Sequence, residues 1–387
     1  ATIPMTTNYS YDEAGRLSEK TLGSTPVSYA YNVRGWIGKI ASAPFVSELR
    51  YENPRYGGDP LYSGMVSQWT WKHGQQPEND YVFSYDGVGR MVAAKHFVDG
   101  ARTDGYTERG IRYDANGNLL SISRTAGGAV SDSLRFTLGG DVLLDVSGTS
   151  TGVFEYDPSG NLVKDGLNRL EFSYNCLNLM QTAETASGAL KAQFTYGSDG
   201  RKLSEKARTG GFEYLGSLIY AYRGGTLSLA QAVTDEGTIQ SAGVNYFIRD
   251  HLGSVRAVVD HTGKTVERND YYPFGGRHEN SALSLSATNR YKFGGKESLE
   301  PVSLDMLDFG ARFYDPRIAR WNTQDPLAEK YFSLSPYNYC AGNPVSLIDP
   351  DGKEFVDHNG VKIVITYNRN GTLSFSKNAT IDVMRAA

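Results

Sequence analysis

The chain has 387 residues, 40% hydrophobic and 21% charged, with 39 basic against 43 acidic side chains and a formal net charge of −4. That apolar fraction supports a large core and excludes a disordered chain, and the near balance of charge excludes the clustered basic surface of a nucleic-acid binder. The departures from average are 43 glycines and 26 tyrosines, the mixture of turn formers and half-buried rings that a hairpin-rich β protein uses. No stretch approaches the ~18 consecutive apolar residues of a membrane span. Cys176 and Cys340 are too few for a disulfide framework and are expected to be buried thiols. The opening residues, Ala1 to Tyr9, lack the basic and apolar regions of a signal peptide. They run straight into a motif that recurs, so the chain is expected to be a piece of something longer.

In chain order, Tyr followed four places later by Gly occurs at Tyr11/Gly15, Tyr31/Gly35, Tyr85/Gly89, Tyr113/Gly117, Tyr156/Gly160, Tyr196/Gly200 and Tyr367/Gly371, with Tyr174/Asn178 as a variant. Asp or Asn follows most of these tyrosines, and an apolar residue such as Leu17, Met91, Leu119 or Leu162 follows the glycine. The unit reads as strand, turn, strand. Alternation precedes the Tyr, as in Phe83-Ser84-Tyr85, which marks a half-buried strand. The Asp or Asn side chain can accept from backbone amides two residues on. The glycine takes the positive φ of a short hairpin loop, and Arg90-Met91-Val92 shows the next strand resuming. Uneven spacing fits hairpins of unequal length, and the frequent Gly, Pro and β-branched residues exclude long helices. The predicted fold is all-β.

Tyr-Asp-x-x-Gly-Arg-Leu in irregular tandem resembles the YD repeat of the Rhs family, shared by bacterial polymorphic toxins, insecticidal toxin-complex C subunits and teneurins. The last third is similar to the Rhs-associated core. Its matching stretches are Tyr246-Phe247-Ile248-Arg249-Asp250-His251-Leu252-Gly253, Asp270-Tyr271-Tyr272-Pro273-Phe274-Gly275, Gly310-Ala311-Arg312-Phe313-Tyr314-Asp315-Pro316, Arg320-Trp321, Gln324-Asp325-Pro326, Pro336-Tyr337-Asn338-Tyr339, Asn343-Pro344 and Asp349-Pro350-Asp351-Gly352. The resemblance implies a β-sheet spiralling into a shell, a less regular core with short helices that plugs one end, and a variable C-terminal cargo. It divides the chain into a YD-repeat shell over 1–243, the core over 244–352, and a hairpin or the start of cargo over 353–387. It further implies a bacterial, exported or cell-surface protein. The implied partners are its own C-terminal polypeptide, a secretion system and an immunity protein.

Chemistry has few places to sit. His73, His96, His251, His261, His278 and His358 show no metal-ligand spacing, there is no phosphate-binding glycine loop, and no cofactor is expected. His251 sits in a YD-like turn and reads as structural. Carboxylates are the exception, because two held together share a proton and act as acid and base. In the family an internal aspartyl protease cuts the chain just after the Asp-Pro-x-Gly motif. The resemblance assigns Arg312 and Asp325 to it, with Asp315 the other nearby candidate and Asp349-Pro350-Asp351-Gly352-Lys353 the cleavage motif. A plainer reading makes Asp325-Pro326 the cap of a helical turn. Two positions depart from the family: Ala319 replaces its Gly before Arg320-Trp321, and Lys353-Glu354 replaces its apolar follower. A third reading is adhesion, with Trp69 and Trp71 stacking on sugars. Beyond Gly352, Val361-Lys362-Ile363-Val364-Ile365-Thr366-Tyr367 and Leu373-Ser374-Phe375 predict a hairpin turning at Asn368-Arg369-Asn370-Gly371.

Overall fold

The structure, a computed structural model, describes residues 4–279, 289–357, 360–367 and 373–377. His358 and the turn expected at Asn368 to Gly371 lie outside them. Twenty-six strands, from Thr7–Tyr11 to Thr265–Arg268, form one sheet. Successive strands pair antiparallel as a meander, with Ala101–Arg102 a short side strand on Met91–Val98. Gly237–Gln240 pairs with Gly243–Arg249, so the sheet passes through the expected 243/244 division without a break. Ile363–Tyr367 and Leu373–Lys377 pair antiparallel, as the predicted hairpin requires.

Each repeat is built from its own residues. The ladder slips at a bulge beside the tyrosine, between Ser10/Tyr11, Ser84/Tyr85, Arg112/Tyr113, Glu155/Tyr156 and Thr195/Tyr196. Asp12 Oδ1 then accepts the N–H groups of Ala14 and Arg16, both at 2.9 Å, and Asp86 and Asp157 do the same in their turns. Gly15, Gly89, Gly117, Gly160 and Gly200 hold φ between +74° and +87°, and Asn178 stands in at +59°. The tyrosine hydroxyl reaches backwards. Tyr31 donates to the Leu17 carbonyl at 2.9 Å, Tyr113 to Met91 at 2.8 Å, Tyr174 to Leu162 at 2.7 Å and Tyr196 to Met180 at 2.8 Å. Every acceptor is the apolar residue after the glycine (or Asn178) of the preceding unit, so the ring stitches one hairpin to the one before it.

Side chains bring the start of the sheet round to its later strands. Tyr9 Oη donates to Glu236 at 3.0 Å, Lys20 Nζ lies 2.6 Å from the same carboxylate, and the Thr6 N–H donates to Tyr246 Oη at 3.1 Å. Among the described residues no backbone ladder joins these strands, and the sheet is an open spiral. What it wraps is its own C-terminal region. Trp71, Phe83 and Phe194 of the sheet share one apolar cluster with Tyr314, Trp321, Val345 and Phe355. Among its described residues that region has short two- and three-residue strands, and its helices are three-residue 3₁₀ turns such as Ala328–Lys330 and Cys340–Gly342. Cys340 is buried as expected, but Cys176 is exposed. The correction has a simple cause: Cys176 stands at the outward tip of the Tyr174/Asn178 turn.

Candidate functional site

The C-terminal region docks on the repeat turns along one side of the sheet. Tyr337 Oη donates to the Gly160 carbonyl at 2.7 Å, Asn338 Nδ2 to Gly117 at 2.5 Å and Asn343 Nδ2 to Gly89 at 3.1 Å. The Pro336-Tyr337-Asn338-Tyr339 and Asn343-Pro344 stretches thus read the glycine carbonyls of three repeats in turn. Tyr314 and Tyr339 stack behind them, ring centroids 4.1 Å apart, and Trp321 packs edge-on to Tyr314 and tilted to Tyr339.

Arg312 sits at the centre of this packing, its guanidinium 4.1 Å over the Trp321 ring. It is placed just before the strand Phe313–Asp315, which pairs with Arg320–Trp321. Four acceptors surround it. Nε–H donates to the Gly352 carbonyl at 2.6 Å, one terminal nitrogen to the Pro336 carbonyl at 3.0 Å, and the other to Asp325 Oδ2 at 3.0 Å and Asp349 Oδ2 at 3.4 Å. Asp349 Oδ1 accepts the N–H groups of Asp351 at 3.2 Å, Gly352 at 2.6 Å and Lys353 at 3.1 Å. Both ends of the Gly352–Lys353 peptide are therefore held, the carbonyl by Arg312 and the N–H by Asp349. Lys296 Nζ steadies the segment by donating to the Pro350 carbonyl at 2.5 Å.

Burial dominates the electrostatics. It pushes the Asp349 carboxyl up to about 6 against the pull of Arg312, raises Asp325 against the same cation, and lowers Arg312. Two carboxyls with raised affinity for protons on one guanidinium can divide acid and base roles at neutral pH. Asp325 Oδ1 also accepts the Leu327 N–H at 2.7 Å in the turn at Asp325-Pro326, but the 3₁₀ helix Ala328–Lys330 begins after it, with Leu327 at its cap and no side-chain cap bond.

The structure brings Arg312, Asp325, Asp349 and Gly352 together and leaves Asp315 out. Asp315 Oδ1 accepts the Arg317 N–H at 2.8 Å. Burial, then the charge of Asp165, push its carboxyl up to about 7. Asp349, assigned from sequence only to the cleavage motif, takes the place beside Asp325. A signal for this was available: Asp349 to Gly352 repeats the Asp12 to Gly15 spacing, and Gly352 has φ +79°. Ala319 occupies φ +53°, which explains why the family has Gly there.

Trp69 and Trp71 are 3% and 1% exposed, which removes the sugar-stacking reading. Their faces are taken by the buried Arg256, at 5.0 Å and 5.2 Å, which sequence reasoning missed and which pairs with Asp250 and Asp270. His251 is structural, its Nε2 lying 3.0 Å from the Val345 carbonyl. Among the described residues no cluster of His, Cys, Asp or Glu is arranged to hold a metal, and no helix is long and apolar enough to cross a membrane.

The teneurin YD-shell family model matches residues 62–338. The chain belongs to the YD-shell family. Among the relatives of this YD shell, the double-stranded DNA deaminase toxin A of Burkholderia cenocepacia (strain H111) is 25% identical over 351 residues, covering 76% of this chain and 23% of that protein. Toxin subunit YenC1 of Yersinia entomophaga is 32% identical over 111 residues, 28% of this chain and 11% of that protein. The crystal structure of TcdB2-TccC3-Cdc42 superposes with a TM-score of 0.61 at 18% identity, over 90% of this chain and 20% of that one. The YD shell described here thus spans less than a quarter of the length of each.

Proposed function

We propose that this chain is the closing segment of a YD shell, which wraps round its own core and presents the polypeptide beyond Gly352. The observation that carries this is the shared apolar cluster of sheet and C-terminal region, together with the docking of Tyr337, Asn338 and Asn343 on three repeat turns. Residues 244–352 act as the plug in this reading, and the protein of which the chain is part encloses an effector and is exported. Limited proteolysis of the full chain tests it. Resistance from residue 62 through 352 as one block is expected, and early cutting between sheet and core would sink it.

A second reading is self-cleavage, favoured by the grip on both ends of the Gly352–Lys353 peptide. Asp325 takes a proton from water, the water oxygen bonds to the Gly352 carbonyl carbon, and Arg312 steadies the oxygen as charge develops. Protonated Asp349 gives its proton to the Lys353 nitrogen as the C–N bond breaks, leaving a carboxyl and an amine. Lys353, where the family has an apolar residue, does not disturb this grip because only its backbone takes part. Intact mass under denaturing conditions tests the step. Two pieces meeting at Gly352–Lys353, restored to one near 42.5 kDa by Asp325→Asn, are expected; a single uncut mass for the unaltered chain rejects the reading.

A further inference from the structure

Val255 pins two residues whose side chains meet on one carboxylate. Its N–H donates to the Lys292 carbonyl at 3.0 Å, and its own carbonyl accepts Asn269 Nδ2 at 3.1 Å. The Asn269 N–H donates to the Arg256 carbonyl at 2.9 Å. Glu267 stands between them, in the strand Thr265–Arg268 that pairs with Val255–Asp260. Its Oε1 accepts Lys292 Nζ at 2.6 Å and Asn269 Nδ2 at 2.6 Å. All three residues are dry: Asn269 is 0%, Glu267 2% and Lys292 7% exposed. Asn269 Oδ1 is a buried acceptor without a partner among the described residues. Asn289 Nδ2 also reaches Glu267 Oε1, at 3.1 Å, but its carbonyl oxygen is taken by the Tyr291 N–H at 3.0 Å.

We propose that Lys292 and Asn269 are a self-modification site, joined by an isopeptide bond that the protein forms with Glu267 as proton carrier. The reaction requires an amine, a carboxamide and a carboxylate in a dry site, and the shared oxygen makes the two nitrogens neighbours. Burial weakens the hold of the Lys292 ammonium on its proton, against the pull of Glu267. Glu267 takes that proton, and the freed Nζ lone pair forms a bond to Asn269 Cγ. Glu267 hands the proton to Nδ2, the Cγ–Nδ2 bond breaks and ammonia leaves. The new amide nitrogen gives its surplus proton to Glu267, so neither oxidant nor cofactor is consumed. Protonated Glu267 is then a donor beside an amide whose oxygen lacked one. Lys292 also lines a cleft of about 290 Å³ with Tyr271 and Phe293, which gives ammonia a way out. Cys176 and Cys340 are both free, and this bond takes the part of a disulfide. It ties the end of the long sheet to the start of the core.

The test is mass spectrometry of the full chain, intact and after digestion. The denatured protein is expected about 17 Da below the mass of its sequence, one ammonia for one bond. Digestion is expected to release a branched peptide joining Asn269 to Lys292, which separates this bond from ring closure at Asn116-Gly117 or another asparagine. Lys292→Arg keeps a cation on Glu267 but cannot form the bond, and it is expected to hold its full mass and give only linear peptides. Glu267→Gln is expected to slow the loss of ammonia by about 100-fold or more. Full sequence mass in the folded, unaltered chain overturns the proposal, and so does a branch at Asn289 in place of Asn269. Ammonia still lost from the same peptide in Lys292→Arg, or a bond formed at the unaltered rate in Glu267→Gln, overturns it equally. The result on the unaltered chain stands even where a variant fails to fold. Both residues lie upstream of Gly352, so a cut there changes neither outcome.

Discussion

The turn at Asp12 and the turn at Asp349 are the same piece of backbone in two surroundings. In each, an Asp Oδ1 accepts amides two and four places on, and a glycine three places on takes positive φ. In each, an arginine meets the other carboxylate oxygen. At the exposed turn, the bonds from Arg16 hold the Asp12 carboxyl below its ordinary value. At the buried turn, loss of water outweighs three amides and Arg312, and Asp349 is pushed up to about 6. A carboxylate that only shapes the chain in one place becomes, by burial, a group that titrates near neutrality in the other.

The largest break in that comparison comes from the cations. Arg312→Met strands two buried carboxyls and is expected to cost about 3–5 kcal/mol in denaturant unfolding, whereas Arg16→Ala leaves the midpoint within error. Next comes pH. A carboxyl whose folded value lies above its unfolded one contributes stability that is complete below pH ~4 and lost as pH rises through about 6. The unfolding free energy of the unaltered chain, minus that of Asp349→Asn, should therefore fall by about 3 kcal/mol between pH 4 and 7. The same subtraction for Asp12→Asn should rise with pH, since its folded value is lowered.

Glycines sharpen the contrast further. A Cβ at Gly160 would meet Gln324 Nε2 at 2.2 Å and Tyr337 Oη at 2.7 Å, while one at Gly15 meets nothing within 4 Å. Gly160→Ala is expected to cost about 2–3 kcal/mol and to loosen the core from the sheet, against ~1 kcal/mol for Gly15→Ala, both by equilibrium unfolding. The smallest effect has the opposite sign: Ala319→Gly relieves a left-handed residue and should stabilise by up to ~1 kcal/mol.

Local spacing carried most of what could be read before the fold was seen. The Tyr-Asp-x-x-Gly turns, the all-β class and the pairing of Arg312 with Asp325 all follow from residues near one another or from motif resemblance. Asp315 failed because three steps along an extended segment put it on the face opposite Arg312, a parity that the motif alone does not display. Asp349 lies 37 residues from Arg312 in sequence; its spacing to Gly352 marks the turn it shapes, but not the arginine that it meets. Trp69 and Trp71 looked available only because Arg256, far along the chain, was not yet across their faces.

The backward reach of the tyrosines has a consequence for how the shell is made. Each of these rings finds its nearest carbonyl on a hairpin already made, and the bonds that Tyr113 and Tyr174 also make to Gly342 and Asn322 can follow when the core arrives. A ribosome delivers such a chain in the order in which its acceptors become ready, so winding can keep pace with synthesis, hairpin upon hairpin. The core that fills the spiral arrives last, when the wall it fits has already been wound.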